Sequence, residues 1–239
     1  MKGLTKLALY IVMGAVVPIL ILNNLTKPLG APVAYVLAAL VPVTYVLVDT
    51  FFISRRFNVI TSYVALSAIM NGVLAFWFVD GALYALKDTA SLMVSVIVFA
   101  GSLVIGRPIV RYFLIQGLGP DTPAREAKLR RLLSLSQVQR SLALATLIIA
   151  AQTALAGAAN FALNLNMVTA SFGSEMFNQQ VAQVNAITRI AFPIASLAAF
   201  GLGFAFIFRA LYGVLPRQED KPQQEGDLWP LIDRWEPAA

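Results

Sequence analysis

The chain of 239 residues contains no cysteine and no histidine. The first absence excludes disulfides, thiol nucleophiles, iron–sulfur clusters and c-type haem attachment, and the second removes imidazole bases; together they remove most zinc sites. Charge is scarce as well: Asp, Glu, Lys and Arg make up 13% of the residues, against roughly 25% in a typical soluble domain. With 59% of its residues apolar, a folded chain of this composition would not stay in water, and it belongs among integral membrane proteins. Disorder, collagen and coiled coil are excluded on the same grounds.

Motifs for chemistry are missing too. There is no phosphate-binding loop, GxSxG elbow, HExxH or dinucleotide fingerprint, and Gly101, Gly106, Gly117 and Gly119 follow no phosphate-cradling pattern. The only repeated carboxylates stand in a polar C-terminal tail. The expectation is a protein that is not an enzyme and carries no cofactor or metal.

What is present is hydrophobic length. A hydrocarbon core of about 30 Å takes roughly 20 helical residues to cross, because backbone groups in lipid must bond within their own segment. Six runs, at about 7–26, 31–50, 57–79, 88–106, 140–163 and 187–209, meet that length. They predict an all-α polytopic integral membrane protein, a six-transmembrane-helix bundle over residues 1–213. Lys2 and Lys6 precede the first run, but it is too long for a signal-peptide core and no small-residue cleavage site follows closely, so a retained span is expected.

Orientation follows from Lys and Arg alone. Six spans put both termini on one side, and fifteen of the 18 basic residues fall on that side, leaving only Lys27, Lys87 and Arg189 on the other. Both termini are therefore expected in the cytoplasm. The longest connection on that side, 107–139, is basic. Arg107 and Arg111 with Tyr112, Phe113, Leu114 and Ile115 predict a short interfacial helix that Gly117, Gly119 and Pro120 end. A second helix is predicted from Ala124, with Leu129, Leu132, Leu133 and Ser136 on one face and Arg125, Lys128 and Arg131 on others, a pattern suited to anionic lipid at the cytoplasmic face. Arg107, Arg111, Arg125, Lys128, Arg130 and Arg131 are the candidate lipid or partner contacts; the plainer reading is that the loop only enforces orientation. Nucleic acid is excluded as a partner because these cations flank membrane spans and do not sit on a free domain.

On the opposite side, the loop 164–186 is polar with few charges. Ser174 as N-cap, Glu175 in the first turn, and Phe177, Val181 and Val184 at helical spacing predict that the sixth helix begins near residue 175. Pro193 is expected to kink it. The tail, 214–239, reads as flexible and cytoplasmic, with Trp229, Leu231, Ile232 and Trp235 either anchoring at the headgroups or forming a sticky end.

Within the spans, Ala195, Ala199 and Gly203 form a small-residue stripe, Ala150, Ala154 and Ala158 form another with Gly157 alongside, and the fifth and sixth helices are expected to pack through them. No charge lies in the middle of any span, which disfavours a proton relay. Near the ends are Asp49, Asp80, Lys87, Asp88 and Arg189. Each has a structural account: Asp88 capping the fourth helix, Asp49 pairing with Arg55 or Arg56, Arg189 snorkelling or neutralising Asp80. Asn71, Gln152 and Asn160 lie deeper, as interhelical hydrogen bonds or as ligands for a carried solute. Pro18, Pro42 and Pro193 interrupt three spans, as broken transporter helices do.

Arg55-Arg56-Phe57 before the third span, the Phe76 to Lys87 hairpin with Asp80, and the Arg107-Pro108-Ile109-Val110-Arg111 stretch running to Gly119 carry a resemblance that covers most of the chain. Gly157 to Asn160 and Tyr212 to Pro216 extend it. In their order and spacing the chain resembles the intracellular septation protein A family, small polytopic proteins of the bacterial inner membrane. Its longer basic loop, longer outer loop and Trp-bearing tail mark a separate branch. The resemblance implies a multi-pass inner-membrane protein of the cell envelope without catalytic residues, acting through contacts with other membrane proteins; the expected partners are these, anionic lipid or further copies of itself. The alternatives are a carrier or channel for a small solute or lipid, and an accessory subunit of a larger membrane complex.

Overall fold

A computed structural model of the chain describes residues 9, 12–53, 59–216 and 228–236, and among them every regular element is helical. A π-helical turn, Val12–Val16, leads into α1 (Val17–Asn24), followed by α2 (Thr26–Leu29) and α3 (Ala31–Val48), which ends in a second π turn, Asp49–Ile53. Then come α4 (Val59–Ala75), α5 (Gly81–Val104), α6 (Val110–Leu118), α7 (Pro123–Leu132), α8 (Ser136–Met167), α9 (Glu175–Val214) and α10 (Leu228–Arg234).

Four helical stretches are long and apolar enough to cross a membrane: Ala31–Phe52, Gly81–Val104, Ser136–Met167 and Glu175–Val214. Their surfaces suit lipid. Leu155, Leu197 and Val104 are 72%, 73% and 88% exposed, a state that costs nothing against hydrocarbon and would invite aggregation in water. The described helix in the expected first span, Val12–Asn24, is shorter, and α4 covers 17 residues; the start of each run lies outside the described residues. The 40 residues of α9 are twice the roughly 20 that a helix needs to cross the hydrocarbon core.

Helix ends follow local chemistry. Ser174 caps α9 as its sequence predicts, its Oγ accepting from the Phe177 N–H at 3.1 Å. Gly30 precedes α3 with φ +81°, a conformation open mainly to glycine, and a proline fills the first turn, where its missing N–H has no bond to lose. α5 begins at Gly81, seven residues before the expected start of the fourth span. Asp88 therefore stands inside a helix and does not cap one.

The chain divides into two compact units whose boundaries fall within α5, α8 and α9. Unit 1 is Met1–Val94 with Ala154–Ile194. In it α3 packs on both α1 and α4, and Gly72 permits the α3–α4 approach, since a Cβ there would meet the Val43 side chain at 3.1 Å. Unit 2 is Ser95–Thr153 with Ala195–Ala239. Its core gathers Leu114, Leu129, Leu132, Leu142, Ile207 and Leu211, all at most 3% exposed. Gly203 sits against Ala145, where an added Cβ would stand 3.2 Å from the alanine Cβ. Ala150 and Ala199 are buried with them, but Ala154, Ala158 and Ala195 are exposed. The expected α8–α9 packing thus occurs through only part of the two stripes. Gly157 instead faces Leu92 and Thr89 of α5.

Candidate functional site

Charge beside the spans of unit 1 collects around two consecutive residues of α5. Lys87 is 5% exposed; its Nζ donates to the Trp77 carbonyl at 2.6 Å and lies 4.8 and 5.8 Å from the ring centroids of Tyr35 and Tyr84. The chain leaves helical geometry between α4 and α5, which makes that carbonyl available, and the two rings offer their negative faces to the ammonium. Tyr84 in turn meets Phe177 edge-on, and Phe172 stacks on Phe78 and meets Tyr35. An aromatic floor thus underlies the cation.

Asp88, one residue on, accepts from two amides of α8: Asn160 Nδ2 at 3.0 Å and Asn164 Nδ2 at 2.9 Å. Residues 160 and 164 are one turn apart on the same helix face, so a single carboxylate reaches both. Asn160 also donates to Thr89 Oγ1 at 3.1 Å, and Asn164 to the Asn160 carbonyl. Arg189 of α9 lies within electrostatic reach of Asp88 and Tyr84. Two cations and one anion therefore share this region. The Oδ1 atoms of Asn164 and of Asn178 are buried with no protein donor, although Asn178 Nδ2 ties α9 to Thr26 Oγ1 and the Ala31 carbonyl.

The remaining candidates near the spans are dispersed. Asp80 does not pair with Arg189; its Oδ2 accepts from the Phe172 N–H at 3.2 Å and so pins the 168–174 connection. Asn71 is exposed on α4. Gln152 accepts from Ser196 Oγ at 3.3 Å within unit 2, an interhelical bond of the kind its position predicts. Asp49 is buried in the π turn after α3, and Arg55 and Arg56 lie outside the described residues.

In unit 2 the basic connection folds on itself. α6 ends at Gly119 in the left-handed conformation, and Thr122 caps α7 through Oγ1 and the Arg125 N–H at 3.2 Å. Leu129, Leu132 and Leu133, expected to share a lipid-facing stripe, are fully buried in the protein core. Part of their cover is α10: residues 228–234, read from sequence as flexible tail, form a helix whose Leu228, Leu231 and Ile232, with Trp235 just after it, join the same cluster, while 217–227 lie outside the described residues. The carboxylate of Asp233 takes Arg125, with Nε to Oδ1 at 3.2 Å, and Lys128 Nζ donates to the Asp233 carbonyl. Arg125 also pairs with Asp121 at 3.0 Å. The hydrogen bonds that Arg125 donates to Asp233, reinforced by Asp121, raise its pKa above the ordinary range. Arg130 pairs with Glu126 one turn back, and Arg111 donates to the Arg130 carbonyl at 3.1 Å. Arg107 and Arg131 are exposed, and the Arg131 carbonyl accepts from Ser134 Oγ at 2.6 Å.

Sequence reasoning overlooked Asn164 and Asp233. The signal for Asn164 was present, an amide at i+4 from Asn160; for Asp233, nothing in the chain marks which of the tail acids meets the loop. Among the described residues no three or more carboxylates gather as for a metal ion. Compared with family models, with curated proteins and with solved structures, the chain matches none.

Proposed function

We propose that this is a non-enzymatic, multi-pass protein of the bacterial cell envelope, resembling the septation protein A family, that works through contacts with anionic lipid and with other membrane proteins. In this reading it spans the inner membrane six times with both termini in the cytoplasm. One observation carries it: charges beside the spans are held by the chain itself, Lys87 by Trp77 and two tyrosines and Asp88 by two asparagines, while the six cations between residues 107 and 131 stand outside the four long apolar helices. Held charges brace a scaffold; cations gathered beside a bilayer meet its headgroups.

A reporter fused after Ala239 tests the topology, with cytoplasmic activity expected and periplasmic activity contradicting it. Mass spectrometry of the gently solubilised complex tests the function. Retained phosphatidylglycerol or a co-purifying membrane protein is the expected result; a bare chain, repeatedly, sinks the reading. A partner in fixed stoichiometry would mark the chain as an accessory subunit.

A second reading, a carrier for a small solute or lipid, draws on the same α5 region. Two cations near one carboxylate, with an unpaired amide oxygen on Asn164, make a polar group unusual for a purely structural span. Counterflow of labelled solute into proteoliposomes, abolished by Asp88→Ala, is the outcome that would favour it.

A further inference from the structure

The cations at the centre of the basic connection already hold an anion, and it belongs to the chain's own C-terminal helix. Asp233 engages Arg125 through both carboxylate oxygens and Lys128 through its carbonyl. Trp229 lies under the guanidinium, 5.2 Å from ring centroid to Cζ, and its Nε1 donates to the Leu118 carbonyl at 3.1 Å. Behind this polar edge, Leu231 and Ile232 are buried against the core to which Leu129 and Leu132 belong. α10 is thus a short amphipathic helix that presents a carboxylate to Arg125 and a backbone carbonyl to Lys128.

Phosphate headgroups offer those cations the same chemistry at high local concentration, and both ion pairs of Arg125 are partly open to solvent, where such pairs are weak and screened. The apolar face does not oppose an exchange. Acyl chains are as apolar as a leucine core, so moving Leu231, Ile232 and Trp235 from protein to the acyl boundary leaves the hydrophobic contribution nearly unchanged. Arg234 beside Asp233 leaves the helix itself without net charge. With burial balanced, electrostatics decides which anion Arg125 and Lys128 hold.

We propose that α10 is an intramolecular competitor of anionic lipid: it covers the Arg125–Lys128 face of α7 in a zwitterionic bilayer and yields that face to anionic headgroups. The proposal rests on the reading of the 107–139 connection as lipid-facing and adds its regulation.

Because the chain has no cysteine, spin labels on Ala127→Cys and Glu236→Cys, both at exposed positions, report the α7–α10 distance in the full chain in nanodiscs. In phosphatidylcholine a single short distance is expected. In phosphatidylglycerol the short-distance population should fall by at least about twofold, the signature of a ligand with different affinity for the two states. Asp233→Lys, which sets a cation against two cations, should lose the short distance in both lipids and retain more phosphatidylglycerol than the parent in native mass spectrometry. If the parent's distance is the same in both lipids while Asp233→Lys retains more phosphatidylglycerol, the face binds lipid and competition by α10 is overturned. If neither protein retains phosphatidylglycerol over phosphatidylcholine, the lipid-facing reading itself fails, and the competition with it.

Discussion

Lys87 in unit 1 and Arg125 in unit 2 are both cations set over aromatic rings, 4.8 Å from Tyr35 and 5.2 Å from Trp229. Their surroundings differ. Lys87 is 5% exposed and anchored to a backbone carbonyl in a non-helical stretch, whereas the Arg125 side chain is 34% exposed and divided between two carboxylates. Within the protein the effective dielectric is low, so polar bonds are strong and a broken one leaves a desolvated group behind. At a wet surface the same bonds are replaced by water or by another anion at little cost. The first region therefore behaves as a brace and the second as a contact that can be exchanged, though both are built from a cation, an aromatic ring and a carboxylate.

The largest effect that would break this contrast is in the apolar part of the α10 contact. Ile232 is fully buried, and Ile232→Ala should weaken α10 docking by about 2 kcal/mol through the packing lost and the cavity left in the docked state. Protease accessibility of residues 228–236 in detergent reads it; continued protection would mean that ionic contacts alone hold the helix. Next is Asn160→Leu in unit 1, which removes the bonds to Asp88 and Thr89 and should cost about 1–2 kcal/mol in thermal unfolding. That loss should be the same at low and high salt. A strong salt dependence would place the Asp88 region in water and erase its difference from the surface contact. Smallest is Arg125→Gln, which should loosen α10 only at low ionic strength, with no difference from the parent in high salt. A loss that persists in high salt would make Arg125 a brace like Lys87.

How much of this was legible in the chain varies with the range of the interaction. The 31–48 helix, the Ser174 cap and the break at Gly119 rest on contacts within a few residues, and each appears where its residues predict. The start of α5 at Gly81 was missed because Lys87 and Asp88 looked like the polar edge of a span. In the fold Trp77, Tyr35, Asn160 and Asn164 satisfy them from other elements, which lets a helix carry both charges inward. The C-terminal residues were read as tail for a similar reason. Seven residues cannot hold a helix alone, and the surface that holds α10 lies roughly a hundred positions earlier, at Leu129 and Arg125.

Composition and hydrophobic length, summed along the chain, were enough to establish a helical membrane protein, because the bilayer imposes one requirement on every segment that enters it: internal backbone bonding and an apolar surface. Which polar residues meet, Asp88 with two asparagines and Arg125 with Asp233, was decided only by the tertiary structure. Such pairings depend on the distance between side chains after packing, and sequence separation carries no measure of that distance.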